Sequence, residues 1–103
     1  MRRVVYSKNA LQNLQRLIEQ GVERFGETVA RAKGRTLMTF VETRLASQPR
    51  LGQRVRELKL YKYEVRVAPL VVLYEFDDDE LRVHDVVHAR TDIPNTDLSE
   101  IAW

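Results

Sequence analysis

Arginines and histidines alternate near the end of the sequence, at Arg82, His84, His88 and Arg90, with Arg66 on an earlier stretch. If this stretch is a strand, side chains two apart share a side, so these four lie on one face with Val86. Arg66 joins them if the strands pair as consecutive hairpins. Such a face suits an anion: guanidinium groups grip phosphate or carboxylate, and imidazole exchanges a proton near neutral pH. The plain alternative is a solvated surface, since an antiparallel sheet covered on one side shows polar residues on the other.

Other chemistries find less support. His84 and His88 stand four apart, a spacing that on a helix would bring them to one ion. On a strand they are separated by about 13 Å, and the flanking valines favour a strand, so no metal is expected. The run Asp77 to Glu80 lacks the spaced ligands and turn glycine of a calcium loop and reads as a charged hairpin turn. There is no cysteine and no glycine-rich phosphate loop, and Ser7, Ser47 and Ser99 lack the context of an activated nucleophile. No cofactor is expected.

The elements that must position these residues follow from periodicity. Arg2 to Tyr6 reads as a first strand. Ser7 is placed to cap a helix in which Leu11, Leu14, Leu17, Ile18, Val22 and Phe25 form one apolar stripe, ending near Gly26. A second helix begins at about Glu27, with Glu27 and Arg31 one turn apart. Its expected buried face holds Val29, Ala32 or the Lys33 stem, Leu37, Phe40, Val41 and Leu45, with Gly34 weakening the middle. The short link makes the two helices an antiparallel hairpin, closed by Pro49 and Gly52.

Residues 53–62 are ambiguous, because Leu58 and Leu60 alternate out of phase with Tyr61 and Tyr63, which calls for a bulge or turn near Tyr61 and Lys62. Tyr63 to Val67 forms a strand, and Pro69 turns the chain. The central strand Leu70 to Phe76 is apolar on both sides, so it must lie inside a sheet with something packed over it, and the helices are the expected cover. The last strand, Leu81 to Ala89, should turn Leu81, Val83 and Val87 toward the helices. Asp97 and Glu100 make a capping-box-like start for a short final helix or tail. The fold class is α+β: an N-terminal strand, then a helical hairpin packed on an antiparallel β-meander, in one domain of residues 1–103.

Charge is unevenly spread. Residues 1–56 carry twelve Lys/Arg against four Asp/Glu, or +8, and residues 57–103 carry five against eleven, or −6, summing to the net +2. The basic half suits an acidic protein partner or a nucleic-acid backbone, or is simply solvated surface. No stretch reaches the roughly 20 apolar residues of a membrane span, so a cytoplasmic location with no membrane partner is expected.

The order of elements resembles that of the RelE/ParE toxin superfamily of bacterial toxin–antitoxin modules. SQPRLGQRV is similar to the segment after the second helix in ParE-type members, VVLYEFDDDELRV to their central hairpin, and VVHARTD to their closing strand. The resemblance implies a toxin neutralised by a cognate antitoxin, a ParD-like ribbon-helix-helix protein for ParE-type modules, such as those that stabilise plasmids. It also implies one of two targets. RelE-like members cut messenger RNA on the ribosome, and ParE-like members inhibit DNA gyrase.

RNA-cutting members tend to carry an arginine three residues before the tyrosine of the central strand and often a tyrosine near the C-terminus. Here Val71 precedes Tyr74 by three, and no tyrosine follows Arg90. The resemblance therefore implies a ParE-like, non-enzymatic gyrase inhibitor. Its candidate target-binding residues are Arg66, Arg82, His84, His88, Arg90 and Trp103, and it meets nucleic acid only through the target complex. The alternative is a RelE-like ribosome-dependent endonuclease using Arg66, Arg82, His84 and His88. A further alternative is a non-toxic member that only binds an antitoxin.

Overall fold

The computed structural model describes residues 1–56, 58–65 and 70–88, with Glu64 and Val65 described by backbone alone. The expectations at Arg66, Val67, Pro69, Arg90 and Trp103, and for the tail with Asp97 and Glu100, lie outside those residues. In chain order the elements are β1 (Arg3–Tyr6), α1 (Lys8–Phe25), α2 (Glu27–Phe40), β2 (Gln53–Val55), β3 (Leu60–Val65), β4 (Leu70–Phe76) and β5 (Glu80–His88). The strands form one sheet in the order β1-β5-β4-β3-β2. Strands β2 to β5 are the expected antiparallel meander, one strand longer than the sequence reading gave, and β1 joins β5 in parallel.

Local chemistry sets the helix ends. The Ser7 hydroxyl accepts from the Ala10 amide at 2.9 Å, capping α1, and donates to the His84 carbonyl at 2.7 Å. Gly26 takes φ 86° and ψ 161° between the helices, a conformation open in practice to glycine alone. Glu27 and Arg31 pair at 2.9 Å. Beyond Phe40 the second helix widens into a π-helical turn, Val41–Leu45, and Pro49–Leu51 forms a 3-10 turn. Back-bonding hydroxyls accompany the widening: Thr43 donates to the Thr39 carbonyl and Ser47 to the Thr43 carbonyl.

The main core lies between the helical hairpin and one sheet face. Ala10, Leu14, Leu37, Val41 and Leu45 meet Leu70, Val72, Tyr74, Leu81, Val83 and Val86. Small residues bring the helices together: a methyl on Gly34 would stand 2.5 Å from the Ile18 side chain, and one on Gly21 would stand 3.3 Å from Ala30. This close approach corrects the expected buried face of α2. Ala30, Gly34 and Leu37 are buried, while Val29 stands 46 % exposed, and Leu11 and Phe25 of α1 are exposed as well.

The expected bulge near Tyr61 and Lys62 is absent. Strand β3 runs unbroken against β4, with Leu60 on one face and Tyr61 and Tyr63 on the other. The phase conflict in the sequence arises because both faces are packed, and the turn comes earlier, where Lys59 takes φ 55°. The irregularity lies instead in β5, opposite Leu73 and Tyr74. Tyr74 pairs with Val83 and Leu73 with Asp85, leaving His84 as the extra residue.

That bulge inverts the phase of the end of β5. Val86 packs in the helix-side core, and Val87 lies on the far face with Val55, Leu60, Val71 and Leu73. The reading that grouped Val87 with Leu81 and Val83, and Val86 and His88 with Arg82, is corrected accordingly. Among the described residues, no helix is long and apolar enough to cross a membrane.

Candidate functional site

Of the sequence-derived candidates, the structure places Arg82 and His84 together and His88 elsewhere. Arg82 and His84 share the far face near the β4–β5 turn, and both approach Glu75: Arg82 Nε lies 2.9 Å from its Oε1 and His84 Nε2 lies 3.3 Å away. His88 pairs with Leu70 on the helix side and lines a cavity of about 110 Å³ with Leu17, Ile18 and Phe25. On opposite faces, the two histidines cannot share one ion or act on one group. The expected open basic face carrying both is therefore not formed.

Among the described residues, what remains of that face is ion-paired. Arg82 also reaches Asp77 at 2.9 Å and Glu80 at 3.1 Å, and Glu80 in turn binds Arg3. These bonds, that from Glu75 foremost, hold the Arg82 guanidinium well above its ordinary pKa. The same contacts lower the carboxylates. Asp77 falls to about 2, chiefly through Arg82 and then through the amides of Glu80 and Asp79, and Glu80 is lowered chiefly by Arg3. For Glu75, burial pushes hardest and upward, but the bonds from Arg82 and His84 leave it net lowered. A guanidinium engaged by three carboxylates through Nε and Nη1 is already charge-compensated, which weakens its pull on an incoming phosphate.

A second arginine cluster, not singled out from the sequence, sits on the helix side of the sheet. Five rings form a row of two groups: Phe40 stacks on Tyr63 with centroids 4.5 Å apart, and Tyr61 meets Phe76 at 5.0 Å and Tyr74 at 5.7 Å. Guanidiniums lie over it, Arg44 over Phe40 at 6.0 Å, Arg54 over Tyr61 at 5.7 Å and Arg2 over Phe76 at 5.5 Å. Register explains the placement of Arg54, which pairs directly with Tyr61 across β2 and β3. The interleaving of Phe40, Arg44, Arg50, Arg54, Tyr61 and Tyr63 was the available signal in the sequence. It needed the β2–β3 pairing to become a surface.

Tyr74 anchors this region from beneath. Its hydroxyl, fully buried, donates to the Pro49 carbonyl at 2.6 Å and accepts from the Gly52 amide at 3.1 Å. Burial pushes its pKa up to about 12. A methyl on Gly52 would stand 2.4 Å from the Lys62 carbonyl oxygen and 2.5 Å from the Tyr74 hydroxyl, so the backbone can pass there only without a side chain. The SQPRLG segment is thus a strap fastened to the central strand.

A strand, a helical hairpin and a meander joined in this order define the small α+β fold of the RelE/ParE toxin class. Nine chains of solved structure match it. Among them is one described as a chromosomal ParDE TA system from P. aeruginosa, with a TM-score of 0.71 at 13 % identity, over 85 % of this chain and 96 % of that one. No curated protein matches by sequence. The family model for the ParE toxin of the type II toxin–antitoxin system parDE matches residues 4–93, and the chain belongs to that family. It is a ParE-family toxin of a type II toxin–antitoxin system, a family that implies an antitoxin partner.

Proposed function

We propose that this chain inhibits DNA gyrase without cutting RNA, and that a cognate ParD-like antitoxin neutralises it. The observation that carries this reading is the burial of Val71. The position where RNA-cutting relatives are expected to hold a phosphate-binding arginine is 3 % exposed here, packed among Val55, Leu60, Leu73 and Val87. Among the described residues, the neighbouring groups offer no replacement. Arg82 is engaged by carboxylates, His84 lies against Glu75, and the Tyr74 hydroxyl is committed to the strap. General acid–base cleavage needs a cation and a proton-transfer group free to meet the scissile phosphate.

The basic half of the chain supports an acidic antitoxin. Induced without its antitoxin, the protein should accumulate gyrase–DNA cleavage complexes and trigger the DNA-damage response while translation continues at first. Early loss of full-length messenger RNA, or unchanged growth, overturns this reading.

A further inference from the structure

The two arginine clusters differ in one decisive respect. Arg3 and Arg82 at the β4–β5 turn are paired with carboxylates, whereas Arg44, Arg50 and Arg54 make no ion pair among the described residues, and all three are exposed. The groove beside Phe40 is lined by Ala32, Arg35, Thr36, Thr39, Thr43 and Arg44, with no carboxylate among them. A second depression, beyond Phe76, holds Arg2 and Arg50 with Ser47 and Gln48, again without one. Between these two runs the row of rings, of which Phe40, Tyr61, Tyr63 and Phe76 are half-buried. Unpaired guanidiniums over aromatic faces, flanked by hydroxyls, present phosphate donors and stacking surfaces at once.

We propose that this row binds a single strand of nucleic acid, with phosphates at Arg44, Arg50 and Arg54 and unstacked bases against Phe40, Tyr61 and Tyr63. An acidic polypeptide would satisfy the arginines but make no use of the aromatic groups beside them. A duplex would keep its bases out of their reach. Arginine in place of lysine at every one of these positions suits the two-pronged grip on a phosphodiester. The contact is direct, not only through a target complex, and it stands apart from the gyrase reading, whose test it leaves untouched.

The test is fluorescence anisotropy of a short labelled oligothymidylate titrated with the full chain at several salt concentrations. Binding should weaken with salt. The Arg44→Ala/Arg54→Ala double variant should reduce the logarithmic salt slope by roughly 1.4, at roughly 0.7 per phosphate contact on a single strand, and weaken binding on the order of ten-fold. Arg16→Ala, on the exposed side of α1, should change neither by comparison. Tyr63→Leu should weaken binding while keeping the slope, with circular dichroism confirming the fold. Absence of salt-dependent binding, binding unchanged in the double variant, or displacement of the oligonucleotide by polyglutamate at equal charge overturns the proposal.

Discussion

Tyr74 shows how a single side chain can be withdrawn from chemistry by structure. A phenol can serve as a general acid, but here it holds the Pro49 carbonyl and the Gly52 amide inside the protein. Tyr74→Phe would keep the ring contacts with Tyr61 and Phe76 and strand both backbone groups. Losing a buried hydrogen-bonded hydroxyl costs about 1–3 kcal/mol. Urea unfolding should show a lowered midpoint of that size with an unchanged slope, and toxicity should fall only as far as stability does. The neighbouring Val71 is the complementary case: its type was legible in the sequence, and its burial gives the missing arginine a structural meaning.

At the scale of elements, the bulge at His84 is fixed from a distance. Ser7 donates to the His84 carbonyl and its amide to the Val83 carbonyl, and Asn13 of α1 reaches the buried Asp85 carboxylate at 2.6 Å. Ser7→Ala should therefore cost more than an isolated cap, toward the upper end of about 1–2 kcal/mol, as it releases both the first turn of α1 and the bulge. Hydrogen exchange should show the amides of Ala10 and of β5 around His84 losing protection together.

These contacts also explain what could be read from the sequence. The helix boundaries, the Ser7 cap, the Gly26 turn and the acidic hairpin depend on neighbours within a few residues, and they came out as expected. The faces of β5 did not, since its alternation looks regular from Leu81 to His88 and only partners more than seventy residues away insert the extra residue. The single face expected to carry both histidines did not form for the same reason. Arg82 looked available until the fold surrounded it with Glu75, Asp77 and Glu80, while Arg54 gained its ring only through the β2–β3 pairing.

Across the whole molecule, charge pairing makes stability sensitive to acid. Glu75, Asp77 and Glu80 all have folded-state pKa values below their ordinary ones. Their contribution is present above the usual carboxylate range and is lost as pH falls toward about 2, the value reached by Asp77. Denaturant midpoints should drop over that window. Arg82→Leu should flatten the drop, because the lowered values of Asp77 and Glu75 depend on that guanidinium.

The parallel pairing of β1 with β5 has a consequence for how the toxin comes into being. Arg3 meets Glu80 and Tyr6 meets Val83, so the first strand has no partner until the last one exists. A chain emerging from the ribosome therefore carries β1, and the helical hairpin behind it, without the strand that completes their core. Folding that waits for so distant a contact is slow to begin. Synthesis itself therefore delays the closing of the sheet until β5 has been made.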